Sequence, residues 1–455
     1  MTVDMAERGW KRLGWALLLL IVFSYPIRYL QLLAFGQVAI YTGILRIALF
    51  AAIFAYATVL VARDSIRHQF RVIIAGYVLV SLLIYNFIVA DFGIFYTAFS
   101  FNLFCVPPAL GLLFYLNRRY FPVRDDAGEA RLLRTILAIA IPITLFGIVQ
   151  YWQNDSFLSS GFSSLPRSEF GTAGQAVIRL TELAATHRIR ANSIFDSAID
   201  FGHFATLFAV LCLGLALKHR RIPSLALLYA VLAGFFIVGV LSTNTRNMFL
   251  YLACCAGGCL LIYTGLGIRA LVAASLGFVV LFYATIYGVV AIAPRYFAGF
   301  FDPISLFQRA GGVYATVQQF IFNADSLLHV LCGFGYMQST DFTFLPTTIF
   351  DNTALDIYLY AGVAGVGLFA TLLLVVFNFA VRQWRETGRI AWLTTASLLM
   401  GMPLFSTLNI DLDQPWFQLV FALLAGGATI PQVRTMAPER QMFSVAAEPI
   451  GAGTV

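Results

Sequence analysis

Two polar side chains stand where a polar loop meets a long apolar run in the last third of the chain. Asp351 and Asn352 follow the aromatic stretch DFTFLPTTIF and precede TALDIYLYAGVAGVGLFA. A carboxylate at such a low-dielectric boundary makes stronger charge interactions than it would in water. It could act as a general base or orient an acceptor hydroxyl. The alternative is a helix cap, in which the Asp351 carboxylate accepts hydrogen bonds from backbone N–H groups.

Four arginines lie in polar stretches beside apolar runs: Arg188, Arg190, Arg246 and Arg309. A guanidinium is a planar fork of donors that binds phosphate in a bidentate way and stays charged at any working pH. A single arginine is more simply explained by lipid headgroups or by the carbonyls of a helix C-terminus. Several arginines around one membrane-facing cavity would favour a pyrophosphate on a lipid carrier. Tyr336 could stack on a sugar face there.

Two further arginines fall inside apolar runs. Arg28 and Arg46 lie at similar depth in the outer half of the first and second predicted spans. A charge buried at that depth costs at least a few kcal/mol, so a pathway or a charged partner is expected. The two side chains either line the same outward-opening cavity or form structural ion pairs.

The sequence carries no signature of a metal or cofactor site. It contains no P-loop, dinucleotide fingerprint, HExxH pair or zinc-like cluster. Its six cysteines fall mostly inside apolar runs and are best explained as small apolar fillers. A net charge of +7 is typical of a membrane protein with basic loops and does not indicate a nucleic-acid partner. We therefore predict no metal, no cofactor and no nucleic acid.

The elements that must position these side chains are membrane helices. Hydrophobic residues make up 60% of the 455 residues and charged residues only 11%, which excludes a soluble globule. Apolar runs of roughly twenty residues predict an all-α, polytopic protein with about twelve transmembrane helices. The predicted spans are 14–35, 39–61, 72–91, 94–116, 133–152, 203–217, 223–241, 247–265, 269–292, 352–380, 391–408 and 414–430. The sixth is short, and we expect it to extend back toward Asp200.

The distribution of basic residues predicts the orientation. Most Lys and Arg fall in alternate gaps between the spans, which places those gaps and both termini in the cytoplasm. Residues 1–455 then form one integral membrane domain with a cytoplasmic tail at 431–455. Two large loops, 153–202 and 293–351, face outward, and each carries a short amphipathic segment of helical spacing. Long loops with partial structure are usually functional, so any chemistry is expected outside the cytoplasm.

Four stretches, in this order, resemble the bacterial O-antigen ligase and O-antigen polymerase (Wzy-type) superfamily of membrane glycosyltransferases. They are RIRANSIFDSAIDFGHFA, LSTNTRNMFLYL, QRAGGVYATVQQFIFNADSLLHVLCGFGY and DNTALDIYLYAGVAGVG. Thr245 stands where the family usually has Ser. Asp351 stands where ligases carry His and many polymerases carry Asp, which favours a polymerase. The likeness covers residues 186 to 370.

This resemblance implies an inverting transfer at the periplasmic face of the bacterial inner membrane, with a glycan on undecaprenyl pyrophosphate as donor. The acceptor is another lipid-linked repeat unit in a polymerase and lipid A-core in a ligase. Arg190, Arg246 and Arg309 match the family's arginines and would hold the pyrophosphate or the glycan. Membrane lipids, a chain-length regulator and a flippase are the expected partners. A lipid-linked glycan transporter or flippase is the alternative from another class, and the unequal loops and the lack of an internal repeat count against it.

Overall fold

A computed structural model describes residues 126–154, 189–195, 198–292, 318–322, 326–333 and 353–406. In these residues the regular structure is helical and contains no strand. The helices are α1 (Asp126–Gln153), α2 (Ala198–Lys218), α3 (Pro223–Ser242), α4 (Arg246–Tyr263), α5 (Ile268–Ile292), a π-helix (Gln318–Phe322), α6 (Leu327–Cys332), α7 (Thr353–Thr387) and α8 (Ile390–Ser406).

Five of the described helices are long and apolar enough to cross a membrane. They are Ile136–Gln153, Ala198–Lys218, Pro223–Ser242, Arg246–Tyr263 and Ala361–Thr387. Two shorter apolar stretches, Ile268–Ala284 and Ile390–Leu404, coincide with further predicted spans. The predicted extension of the sixth span is confirmed, because α2 begins at Ala198 and carries Asp200 in its first turn. The other predicted spans and the tail at 431–455 lie outside the described residues, so the count of twelve stays a prediction.

Helix α2 is the centre of the described bundle. Nearly all of its residues are buried, whereas α1, α3 and α7 expose large apolar side chains such as Leu145, Leu227 and Leu374. Exposed apolar side chains on a long helix are expected where lipid is the solvent. Helices α3 and α4 pack directly on α2: Phe236 of α3 stacks on Phe208 at 5.3 Å between ring centroids, and the Tyr251 ring of α4 lies 5.1 Å from the His203 ring.

Small residues and hydroxyl groups join α4, α5 and α8. A Cβ added at Gly401 would lie 2.6 Å from Cys255 Sγ and 2.8 Å from a ring carbon of Tyr251, so only glycine permits this approach. Ser275 of α5 donates its hydroxyl to the Met400 carbonyl at 2.7 Å. Close packing of small residues is what holds membrane helices together, since lipid removes the hydrophobic drive for association.

The described bundle has two ends of opposite character. At the basic end, Tyr263 at the end of α4 donates to Leu217 of α2 at 3.0 Å, and Arg385 of α7 donates to the carbonyls of Gly265 and Leu266. At the other end, here called the loop end, the 189–195 segment meets the ends of α1 and α3. Every described Lys and Arg except Arg190 and Arg246 belongs to the basic end or to the half of α1 nearer to it. These residues are Arg131, Arg134, Lys218, Arg220, Arg221, Arg269, Arg382, Arg385 and Arg389.

Helix α7 is broken at Gly362, where φ is 65° and ψ is −162°. A Cβ at this position would lie 2.4 Å from the carbonyl carbon and oxygen of Leu331 and 2.6 Å from the Cys332 nitrogen. The backbone of α6 therefore packs directly against the backbone of α7 at the break. Glycine adopts the positive φ found there with little conformational strain. Because α7 reaches the basic end at Arg385, its N-terminal part and α6 lie toward the loop end.

Candidate functional site

Two of the predicted site residues fall within the described part of the chain, Arg190 and Arg246. Both side chains are exposed and both lie at the loop end. The other predicted site residues lie outside the described residues, and their placement stays a prediction. They are Arg28, Arg46, Arg188, Arg309, Tyr336, Asp351 and Asn352.

The backbone joins the segments that carry these two arginines. The Ala191 N–H donates to the Ser242 carbonyl at 3.1 Å, which ties the 189–195 segment to the end of α3. Arg190 immediately precedes the donor, and Arg246 begins α4 just beyond the acceptor. Two arginines far apart in the sequence are thus presented by adjacent backbone at one end of the bundle.

A buried glutamine fixes the 189–195 segment on α1. Gln150 donates through Nε2 to the Ser193 carbonyl at 3.1 Å, and its Oε1 accepts from the Ser193 N–H at 2.8 Å. The Ser193 hydroxyl donates to the Ile143 carbonyl at 2.6 Å. Both side chains are fully buried, so these bonds replace water that the Ser193 backbone cannot reach. Ser193 has φ of 52°, and the paired hydrogen bonds hold it in that uncommon conformation.

The end of α1 supplies a second anchor to the same segment. Asn154, with φ of 55°, accepts the Ile189 N–H on its Oδ1 at 2.8 Å. Within the segment, the Phe195 N–H donates to the Asn192 carbonyl at 2.9 Å, and the Asn192 amide donates to the Phe195 carbonyl. The segment on both sides of Arg190 is therefore held by hydrogen bonds, and the guanidinium is presented from a fixed backbone.

Hydroxyl groups shape the turn between α3 and α4. Thr243 donates to the Val240 carbonyl at 2.7 Å, and its hydroxyl accepts the Thr245 N–H at 3.3 Å. Asn244 has φ of 47° at the reversal of the chain. The Thr245 hydroxyl donates back to the Thr243 carbonyl at 3.0 Å and does not cap α4. The turn is thus rigid, and Arg246 is the first residue of the helix that leaves it.

One face of α2 carries a row of buried polar residues that begins near the loop end, here called the polar stripe. Asp200, His203 and Thr206 follow one another at intervals of three residues, with 5%, 2% and 0% of their surface exposed. Residues at that spacing lie on neighbouring positions of one helix face. The sequence did not lead us to predict this stripe, because Asp200 was considered only as the point toward which the sixth span extends. Polar residues at every third position of an otherwise apolar run were the available signal.

The loop end thus brings together two exposed cations, a buried carboxylate and a buried imidazole. Exposed guanidinium groups can bind an anionic phosphate, and a carboxylate with an imidazole can accept and hold a proton. Among the described residues, no group of three or more His, Cys, Asp or Glu could hold a metal ion. The cysteines of α2 and α4 (Cys212, Cys254, Cys255 and Cys259) are buried, in agreement with a packing role.

Neither a protein-family profile nor a curated protein sequence matches this chain.

Proposed function

We propose that this protein is a polysaccharide polymerase of the bacterial inner membrane. It joins oligosaccharide repeat units carried on undecaprenyl pyrophosphate into O-antigen or exopolysaccharide by inverting glycosyl transfer. The transfer takes place at the loop end, which faces the periplasm. The enzyme needs no cofactor, because the pyrophosphate of the donor is itself the leaving group.

The observation that carries this proposal is the hydrogen bond between Ala191 and Ser242. It links the two segments whose arginines match those of the O-antigen ligase and polymerase superfamily. A pyrophosphate offers several oxygens, so guanidinium forks approaching from two directions can share its charge. Arg309 and Arg188 are proposed to complete this group of cations.

The unequal charge of the two ends supports the proposed orientation. Basic residues accumulate on the cytoplasmic side of membrane proteins, and the described bundle concentrates them at the end opposite Arg190 and Arg246. The loop end is then periplasmic, where lipid-linked repeat units would be presented, and both termini are cytoplasmic.

Asp351 and Asn352 are proposed to meet the acceptor hydroxyl at the start of α7, which begins at Thr353. α6, from the second large loop, packs against the N-terminal part of the same helix and supports this placement. Membrane lipids surround the bundle, and a chain-length regulator and a flippase are the protein partners expected for such an enzyme.

A reconstitution assay tests the function. Purified protein is incubated with a lipid-linked oligosaccharide repeat unit and no nucleotide sugar, and products are separated by length. A ladder of longer lipid-linked glycans is the expected result. A product that forms only when lipid A-core is added would identify a ligase instead. Movement of the lipid-linked glycan across vesicles without any elongation would identify a flippase, and both outcomes would overturn the polymerase proposal.

A further inference from the structure

Three turns of the basic end meet around Tyr263, the last residue of α4. The Tyr263 hydroxyl donates to the Leu217 carbonyl of α2 at 3.0 Å, which ties the α4–α5 turn to the α2–α3 turn. The ring centroid of Tyr263 lies 6.3 Å from that of Trp384, in the last turn of α7 and next to the α7–α8 turn. The three turns therefore lie side by side and form one surface, here called the three-turn surface.

The three-turn surface carries a high positive charge. Its segments, 217–222, 263–269 and 382–390, contain seven Lys and Arg residues and one acidic residue, Glu386. Six of the seven basic side chains are exposed, and that of Arg389 is half-buried. The seven are Lys218, Arg220, Arg221, Arg269, Arg382, Arg385 and Arg389. Charges of one sign gathered on one surface create a field that attracts and holds an ion of the opposite sign.

Two arginines of this surface are held in place by contacts that leave donors for a ligand. The Arg220 guanidinium carbon lies over the Tyr263 ring, 5.7 Å from its centroid, and stacking over a ring uses none of the five N–H donors of a guanidinium. Arg385 makes its bonds to the carbonyls of Gly265 and Leu266 through Nη2 alone. Because both side chains are exposed, their remaining N–H groups can donate to an anion from outside the bundle.

Exposed apolar side chains continue from the cations. Ile222 ends the α2–α3 turn and Leu266 belongs to the α4–α5 turn, and both side chains are exposed. Leu227 and Leu228, each more than half exposed, follow one turn into α3, roughly 6 Å further along the helix axis. A soluble anion would contact the cations alone. A phospholipid joins a phosphate to acyl chains and fits both parts of this surface.

The general excess of basic residues on the cytoplasmic side of membrane proteins does not explain this arrangement. That excess concerns how many Lys and Arg flank the spans, and it places no requirement on how the side chains are grouped. Here an aromatic pair, Tyr263 and Trp384, joins turns that are far apart in the sequence, and one cation stacks on that pair. Basic pockets between membrane helices on this side are known to bind anionic headgroups.

We propose that the three-turn surface binds the headgroup of an anionic phospholipid from the membrane leaflet at the basic end. Lys218, Arg220 and Arg269 donate to its phosphate, and its acyl chains lie along the exposed apolar side chains of α3. The bound lipid fastens the three turns to one another, since a ligand that binds only the folded state stabilises it. The site lies at the end opposite Arg190 and Arg246, and the inference does not depend on the polymerase function.

Native mass spectrometry of the purified full chain tests this site. Phosphatidylglycerol is the probe, and phosphatidylethanolamine with the same acyl chains, which carries no net charge, is the comparison lipid. Wild-type protein should bind phosphatidylglycerol more tightly than phosphatidylethanolamine. Lys218→Gln/Arg220→Gln should lower the affinity for phosphatidylglycerol about 30-fold, because each basic residue at a membrane surface contributes about fivefold. The same variant should bind phosphatidylethanolamine as wild-type protein does.

The matched control is Arg190→Gln/Arg246→Gln, which removes the same charge from two exposed arginines of the loop end and should keep the wild-type affinity for phosphatidylglycerol. Each variant is checked for monodispersity in detergent. If Lys218→Gln/Arg220→Gln fails that check, Arg269→Gln decides, with an expected loss of about fivefold. Equal affinities of the two double variants, or equal binding of the two lipids by wild-type protein, would overturn the inference. Displacement of phosphatidylglycerol by an equal concentration of inorganic phosphate would also overturn it, because the site would then be one for a free anion.

Discussion

The two ends of the described bundle use arginine in different ways. At the basic end, Arg385 donates to the last carbonyls of the α4–α5 turn, and the Arg220 guanidinium lies 5.7 Å from the Tyr263 ring centroid. Arg385 thus satisfies carbonyls just beyond the C-terminus of α4, where the helix dipole favours a cation, and Arg220 lies over an aromatic face. At the loop end, the described side-chain contacts that hold the backbone come from neutral groups, Gln150, Asn154 and Thr243.

The difference teaches that residue type alone does not reveal a role. An arginine near a helix C-terminus can donate hydrogen bonds to carbonyls that have no partner within the helix. Arg246 instead stands at a helix N-terminus, where the helix dipole does not stabilise a cation. This placement is the one expected if Arg246 binds the pyrophosphate that we propose as its ligand.

The largest expected effect comes from two residues of the proposed site that lie outside the described ranges, Arg309 and Asp351. Replacing Arg309 or Asp351 with Ala should reduce elongation by about 1,000-fold, because each variant removes a group proposed to act on the reacting atoms. The measurement is the elongation rate per molecule of protein in the membrane. Glu386→Ala, an exposed acidic residue at the basic end, should keep full activity. Normal activity in both site variants would mean that the site is misplaced.

Arg246→Ala should lower the elongation rate about 100-fold, the usual loss when one donor to a developing negative charge is removed. Arg246→Lys keeps the charge without the fork and should recover only part of that loss. The comparison is Arg221→Ala, an exposed arginine of the basic end. Equal losses at the two ends would erase the distinction between them.

Gln150→Leu should destabilise the protein by roughly 2 to 4 kcal/mol, because it leaves both backbone groups of Ser193 buried without partners. It should also raise KM by releasing the segment that carries Arg190. The control is Gln383→Leu at the basic end, where Gln383 Nε2 donates to Glu386 Oε2 at 3.1 Å on an exposed surface. That change should stay within about 0.5 kcal/mol. Thermal unfolding in detergent measures both variants, and equal unfolding midpoints would contradict the assignment.

The smallest effect on activity is expected at the break of α7. Gly362→Ala must lift α6, so the half-buried thiol of Cys332 should react faster with maleimide, as followed by mass spectrometry of its peptide. Gly367→Ala, on the same helix with nothing within 4 Å of the new methyl group, should leave that rate unchanged and stabilise the helix slightly. Identical labelling in the two variants would show that the contact between α6 and Gly362 is not closely packed.

The helices could be predicted because their signal is local. A run of about twenty apolar residues is visible in the sequence, and even the start of α2 near Asp200 was predictable. The contact between Gln150 and Ser193 joins residues 43 positions apart, and no local pattern records it. For Asp200 and His203 on α2, the spacing of three residues was visible in the sequence, but hydropathy gives no indication that this face of a membrane helix meets protein. The positive φ of Gly362 depends on the backbone of α6 and has no signal of its own.

The binding of undecaprenyl pyrophosphate, measured by native mass spectrometry, tests the central claim most directly. The double variant Arg190→Ala/Arg246→Ala should lose the bound lipid, while Arg221→Ala/Arg269→Ala removes the same charge from the basic end and should bind it as wild-type protein does. Equal binding by the two double variants would contradict the claim that the loop end holds the pyrophosphate.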